Sequence, residues 1–223
     1  MRRTLSGRQL IQCASLCHSV YGESDDWLWH LSHEDKLFYI ALKGTDDLGD
    51  WKTNLSFLFK HEDTHDGFKR NAWAIIVNIL LSGIMNVVDK DYGIVLTGHS
   101  LGGATAIVLA DLLQNHYSDL VLATFGAPRP GGRRLRNRLL GMNHYRFVYG
   151  SDLVPSAPPY TNGYVHTHPA IHLDDLEVGF CDIIHDHRMS GYILALESLL
   201  HQKESCMHAM LAPQAFWSHL AGL

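Results

Sequence analysis

The pentapeptide Gly98-His99-Ser100-Leu101-Gly102 constrains this chain more than any other stretch. Tyr92 to Thr97 before it is a short apolar, β-branched run that fits a buried strand. Gly103 to Leu113 after it is rich in Ala, Val, Ile and Leu and fits a helix packed closely on that strand. A G-x-S-x-G sequence between strand and helix turns the backbone so sharply that the serine is strained. Side chains two residues to either side would collide, hence glycine at 98 and 102. The turn lifts the Ser100 hydroxyl above the sheet edge, at a helix N-terminus whose free N–H groups favour developing negative charge. The alternative, a glycine-rich turn with a capping serine, accounts poorly for Gly103, Ala104 and Ala106, which continue the close packing.

The remaining elements follow the same logic. Leu10 to Val20 has a helical apolar pattern ending at Tyr21-Gly22. Trp27 to Leu31 and Lys36 to Leu42 are aromatic and β-branched runs separated by His33-Glu34-Asp35, which suits a hairpin. Asn71 to Val88 carries no charge at all, but Asn78, Ser82 and Asn86 give it a polar stripe at four-residue spacing, so it is a surface helix and not a membrane span. Leu120 to Phe125 is a buried strand, Arg133 to Leu140 a short helix, and His144 to Tyr149 another strand. The βαβαβ alternation implies a mostly parallel central sheet with helices on both faces, whose sites are built at the carboxyl ends of the strands. Tyr164 to Leu173 reads as a final strand or loop, and Asp186 to Leu200 as a helix with Met189, Tyr192, Ile193, Leu196 and Leu200 inward.

A chain of 223 residues, 46% hydrophobic, buries about 70% of its unfolded surface, enough for one good core. A single domain over residues 1–223 is expected, with 205–223 as an unmatched tail. A net charge of −5 argues against a general nucleic-acid binder. Thr4 to Gln9 offer no apolar core of signal-peptide length, so cytoplasmic residence is the expectation, with leaderless export the alternative. On that view Cys13, Cys17, Cys181 and Cys206 are free thiols, disulfides being the alternative. His166-x-His168 and His185-x-His187 have metal-ligand spacing, but no cysteine or carboxylate set completes a four-ligand site, and no metal or organic cofactor is expected.

Lys43-Gly44-Thr45, Asp50-Trp51-Lys52-Thr53-Asn54-Leu55, His65-Asp66-Gly67-Phe68, the elbow, Phe125-Gly126-Ala127-Pro128-Arg129, Gly150-Ser151-Asp152-Leu153-Val154-Pro155 and Asp186-His187 stand in an order that resembles the fungal-type class 3 lipases of the α/β-hydrolase superfamily. The resemblance implies an α/β-hydrolase fold. Departures are Lys43 where the family usually has arginine, a short lid region, and the tail.

A serine hydroxyl needs a histidine to take its proton, and the histidine needs an acid to fix its tautomer. In α/β-hydrolases the chain order is serine, acid, histidine. Asp152, downstream of Ser100 at the end of a strand, is the best acid; Asp174, Asp175 and Asp182 compete from segments with no clear strand. Eight of the sixteen histidines follow Asp152. The resemblance assigns the base to His187 and makes His166 structural; the inward residues of the following helix would also anchor His187. The resemblance further places Thr45 at the oxyanion position, with the Leu101 N–H as second donor; the alternative for Thr45 is a plain turn residue.

These assignments imply a carboxylic ester hydrolase acting on lipid esters, with phospholipase, short-chain esterase and an idle lipase-like interaction module as alternatives. Leu48, Trp51 and Leu55 share one face that reads as core, or alternatively as a short lid. That region and the apolar tail residues Met207, Met210, Leu211, Phe216 and Trp217 suggest contact with a lipid interface. Arg129, Arg133, Arg134, Arg136 and Arg138 cluster in an otherwise acidic chain and read as a solvated face, with attraction to anionic lipid as the alternative.

Overall fold

The structure, a computed structural model, describes residues 3–44, 65–82, 91–174 and 186–211, with the backbone alone at 65–69, 71, 80–81 and 202–211. The expectations for Thr45, the Leu48 to Phe59 region, Asn86, Asp175, Asp182, His185 and the tail beyond 211 lie outside the described residues. So do those for the side chains of Cys181, Cys206, Met207, Met210 and Leu211.

Six strands form one sheet in chain order: β1 (Trp27–Ser32), β2 (Leu37–Leu42), β3 (Gly93–His99), β4 (Leu120–Phe125), β5 (Asn143–Tyr149) and β6 (Ile171–Leu173). β1 pairs antiparallel with β2, and every later neighbour is parallel. The central strands β2, β3 and β4 are buried along their whole length, as the middle of a sheet sandwiched between helices requires. Helices α1 (Gly7–Ser19) and α5 (Met189–Leu211) cover one face, over Tyr39, Val95, Val121, Phe125 and Phe147. Helices α2 (His65–Leu81), α3 (Leu101–Leu113) and α4 (Arg133–Leu139) lie on the other, over Phe38, Ile40, Ile94, Leu96 and Leu122.

Boundaries differ from the sequence reading where local hydrogen bonds decide them. α1 begins at Gly7 because Ser6 and Gln9 form a capping box, Ser6 N–H donating to Gln9 Oε1 at 2.8 Å. α5 begins at Met189 and runs on to Leu211, into the segment assigned to the tail. Tyr164 to Leu173 is mostly loop, with a strand only at Ile171–Leu173. Asn78 on α2 and Ser82 just after it are exposed, as are Trp73 and Val77, while Ala72, Ile75 and Ile79 are buried, so α2 is a surface helix. Among the described residues no helix is long and apolar enough to cross a membrane. Leu135 and Leu139 bury one side of α4, and Arg133, Arg134, Arg136 and Arg138 are exposed on the other. Arg138 makes a two-pronged contact with Asp111 at 2.7 and 2.6 Å, and Arg129, half-buried, stands apart from the cluster.

Candidate active site

β3 delivers the elbow. Ser100 has φ 54° and ψ −128°, a left-handed backbone that non-glycine residues rarely adopt. The conformation is held from both sides: Ser100 N–H donates to Phe125 O on β4 at 2.9 Å, and Ser100 O accepts from Gly103 N–H at 3.0 Å inside α3. A Cβ at Gly102 would collide with the Leu42 carbonyl at the end of β2, so glycine is what lets α3 start this close to the sheet. Leu101, the first residue of α3, keeps one of the N–H groups that have no intrahelical acceptor.

Asp152 follows β5 in the turn after Tyr149, and His187 precedes α5. Both are buried, as is Ser100. His187 Nδ1–H donates to Asp152 Oδ2 at 2.8 Å, which leaves Nε2 as the acceptor for the Ser100 hydroxyl, also at 2.8 Å. Three of the five residues singled out in the sequence are thus in hydrogen-bonded sequence, with Leu101 beside them and Thr45 outside the described residues. Gly44 lies against this end of the sheet, where a Cβ would stand 3.3 Å from Ser100 Cβ. Gly126 has φ +58°, and a Cβ there would sit 2.7 Å from Asp152 Oδ2 and 3.1 Å from His187 Cε1. Its missing side chain is the space in which the histidine and the acid meet.

Several partners escaped the sequence reading. Tyr192 O–H donates to Asp152 Oδ2 at 2.5 Å and Val154 N–H to Oδ1 at 2.9 Å, so the carboxylate is gripped from α5 and from its own loop. Burial and then the Asp152 charge push the Tyr192 phenol well up, which keeps it a donor. Asp186 Oδ2 accepts from Ser151 N–H at 2.7 Å and ties the segment before α5 to the loop after β5. His99 Nε2–H donates to the His187 carbonyl at 2.8 Å, and its Nδ1 accepts from Tyr21 O–H at 2.7 Å. Burial, with His187 adding to it, holds His99 well below the usual imidazole range, so a neutral ring backs His187 at 4.6 Å between centroids. His99 lies inside the pentapeptide and Tyr192 on the inward face of its helix; pattern marked Tyr192 as inward without naming the atom it holds, and gave His99 no role.

His166, the competing histidine, is elsewhere: its Nε2–H donates to Pro155 O at 2.7 Å. Asp174 is exposed at the end of β6. Among the described residues no three His, Cys, Asp or Glu side chains are grouped to hold a metal ion.

A profile of the class 3 lipases matches residues 39–162, more than half of the chain. The chain belongs to this family. It is 30% identical over 185 residues to the secreted mono- and diacylglycerol lipase 1 of Fusarium solani, covering 74% of this chain and 55% of that protein. It is 31% identical over 147 residues to a lipase of Rhizomucor miehei, covering 59% and 40% respectively. The chain spans about half the length of the curated relatives it matches. Among solved structures, the Rhizomucor miehei lipase in its propeptide complex superposes with a TM-score of 0.61 at 23% identity, over 77% of this chain and 70% of that one. A mono- and diacylglycerol lipase of Aspergillus oryzae gives 0.59 at 23%, over 79% and 83%. These class 3 lipase neighbours carry the α/β-hydrolase fold expected from the sequence. The expectation of cytoplasmic residence is corrected by the same comparison, because the relatives from Fusarium solani and Penicillium cyclopium are secreted enzymes. Cys13 and Cys17 are buried free thiols within α1, and burial protects a thiol in any compartment, so they never decided the question.

Proposed function

We propose that this class 3 lipase chain is an extracellular serine hydrolase that cleaves lipid esters, acylglycerols above all, through an acyl-enzyme on Ser100. The observation that carries the reading is His187 bridging Ser100 Oγ and Asp152 Oδ2 at 2.8 Å on each side. Ser100 Oγ attacks the ester carbonyl carbon while its proton passes to His187 Nε2; the imidazolium is stabilised by Asp152, itself positioned by Tyr192 and Val154. The oxyanion of the tetrahedral intermediate takes the Leu101 N–H and Thr45, which follows Gly44 in sequence; each such donor is worth about 100- to 1000-fold in rate. Collapse expels the alcohol, protonated by His187, and leaves the acyl-serine. Water then attacks the acyl carbon with His187 again as base, releasing the acid and restoring the Ser100 hydroxyl.

The class of substrate is supported by the names of the mono- and diacylglycerol lipases to which the chain is similar. Reaction through the same three residues does not by itself fix the leaving group. A panel of p-nitrophenyl esters and mono-, di- and triacylglycerols, assayed below and above micelle formation, separates the cases. A rise in rate with chain length and at the micelle transition is expected from the apolar Leu48 to Phe59 stretch. Flat rates with short chains preferred make the protein an esterase, and no turnover on any ester leaves an interaction module.

A further inference from the structure

Helix α3 packs on β2, β3 and β4. Beyond it the segment from 150 to 170 runs over the outer strands β5 and β6 and leaves an open cavity of about 530 Å³. Arg146 reaches it from β5, on the same face as its neighbour Val148, and Arg129 from the loop after β4. Neither Ser100 nor His187 is among its lining residues. Asp152 borders it, but that carboxylate is already engaged by His187, Tyr192 and Val154.

Among the described residues, the hydrogen bonds of the two guanidinium groups go to carbonyls. Arg146 Nε–H donates to His168 O at 3.0 Å, and Arg129 Nη1 donates to Ser156 O and Pro158 O. Among the described residues no carboxylate forms an ion pair with either one. Arg146 is only 7% exposed, and an arginine that buried without a counter-charge is costly. Burial pushes its guanidinium down to about 10, and Arg129 pushes the same way. His166, which also lines the cavity, is driven to about 3 by burial and by Arg146, so it adds no charge of either sign. A guanidinium fork suits the two oxygens of a carboxylate, and although Ser151, Ser156 and His172 also line the wall, Val148, Leu153 and Ala170 give it an apolar side.

We propose that this cavity is a second ligand site, for a carboxylate on a short alkyl chain, with Arg146 and Arg129 holding the acid group and Val148, Leu153 and Ala170 lining the chain. A cavity of this volume is of ordinary ligand-pocket size. The proposal stands apart from the hydrolase reading, since a carboxylate binds here whether or not Ser100 is a nucleophile.

Calorimetric titration of the full chain with butyrate, octanoate below its micelle concentration, and inorganic phosphate tests it, on the unaltered protein and on Arg129→Gln and Ala170→Glu. Octanoate is expected to bind more tightly than butyrate and butyrate more tightly than phosphate. Each substitution should weaken octanoate at least about tenfold, one by removing a charged donor and the other by supplying an internal carboxylate to the same guanidiniums. Ala170→Glu should also raise Tm, and it keeps the test open if Arg129→Gln folds poorly. Octanoate binding that is absent at millimolar concentration, unchanged in both variants, or no tighter than phosphate overturns the assignment.

Discussion

His187 donates to one partner and accepts from the other, and its tautomer is set by the carboxylate it faces. Removing it should lower kcat on a p-nitrophenyl ester by about 10⁴-fold or more, with the far-ultraviolet spectrum unchanged. His166→Ala should cost far less, because that ring is hydrogen-bonded to Pro155 O, whereas His187 is the ring bonded to both Ser100 and Asp152. A folded His187→Ala enzyme at full rate, or an inactive His166→Ala enzyme, would reverse the roles. At this scale the sequence was legible where position alone decided. Asp152 could be picked because it ends a strand, and Ser100 because two glycines flank it. The histidine needed the family resemblance, since all eight candidates are chemically equivalent until the chain folds. Tyr192 was legible only as inward, because helix periodicity places a side chain on a face and says nothing of which carboxylate its polar end will meet; His99 was legible only as a position in the pentapeptide.

The elbow is a contact between elements, and its tolerance is set by backbone. At Gly102 the obstacle is the Leu42 carbonyl, which cannot rotate away as a flexible side chain could. Gly102→Ala is therefore expected to lower stability by at least about 2 kcal/mol in urea unfolding, as overpacking against fixed atoms does. An unchanged midpoint would mean that α3 does not approach β2 this closely. Every strand proposed from β-branched and aromatic runs is present, because a parallel sheet buried on both faces leaves long apolar runs that few other structures explain. Element ends were less legible. The start of α1 is fixed by two hydrogen bonds between Ser6 and Gln9, and β6 exists only because Phe147, Val148 and Tyr149 offer it a partner. Neither signal is carried by hydrophobic pattern.

Over the whole molecule, several histidines are buried neutral. Burial lowers His166 from 6.5 to about 3 and holds His99 and His144 well below their ordinary value. The unfolded chain takes up protons at these sites as pH falls below 6.5, and the folded chain does not until far lower. Between those limits the unfolded state binds more protons, so stability falls with falling pH; above the unfolded pKa these groups contribute no pH dependence. Tm should accordingly hold steady from about pH 8 to 7 and drop progressively from about pH 6.5 toward 4. A Tm constant down to pH 4 would contradict the burial of these rings. The central claim concerns Ser100 in the folded molecule, and its most direct test is labelling with a fluorophosphonate followed by intact-mass and peptide analysis. One adduct per chain is expected, on Ser100, abolished by heat denaturation beforehand and slowed by orders of magnitude in His187→Ala. No adduct on folded protein, or an adduct on another serine, would contradict the account.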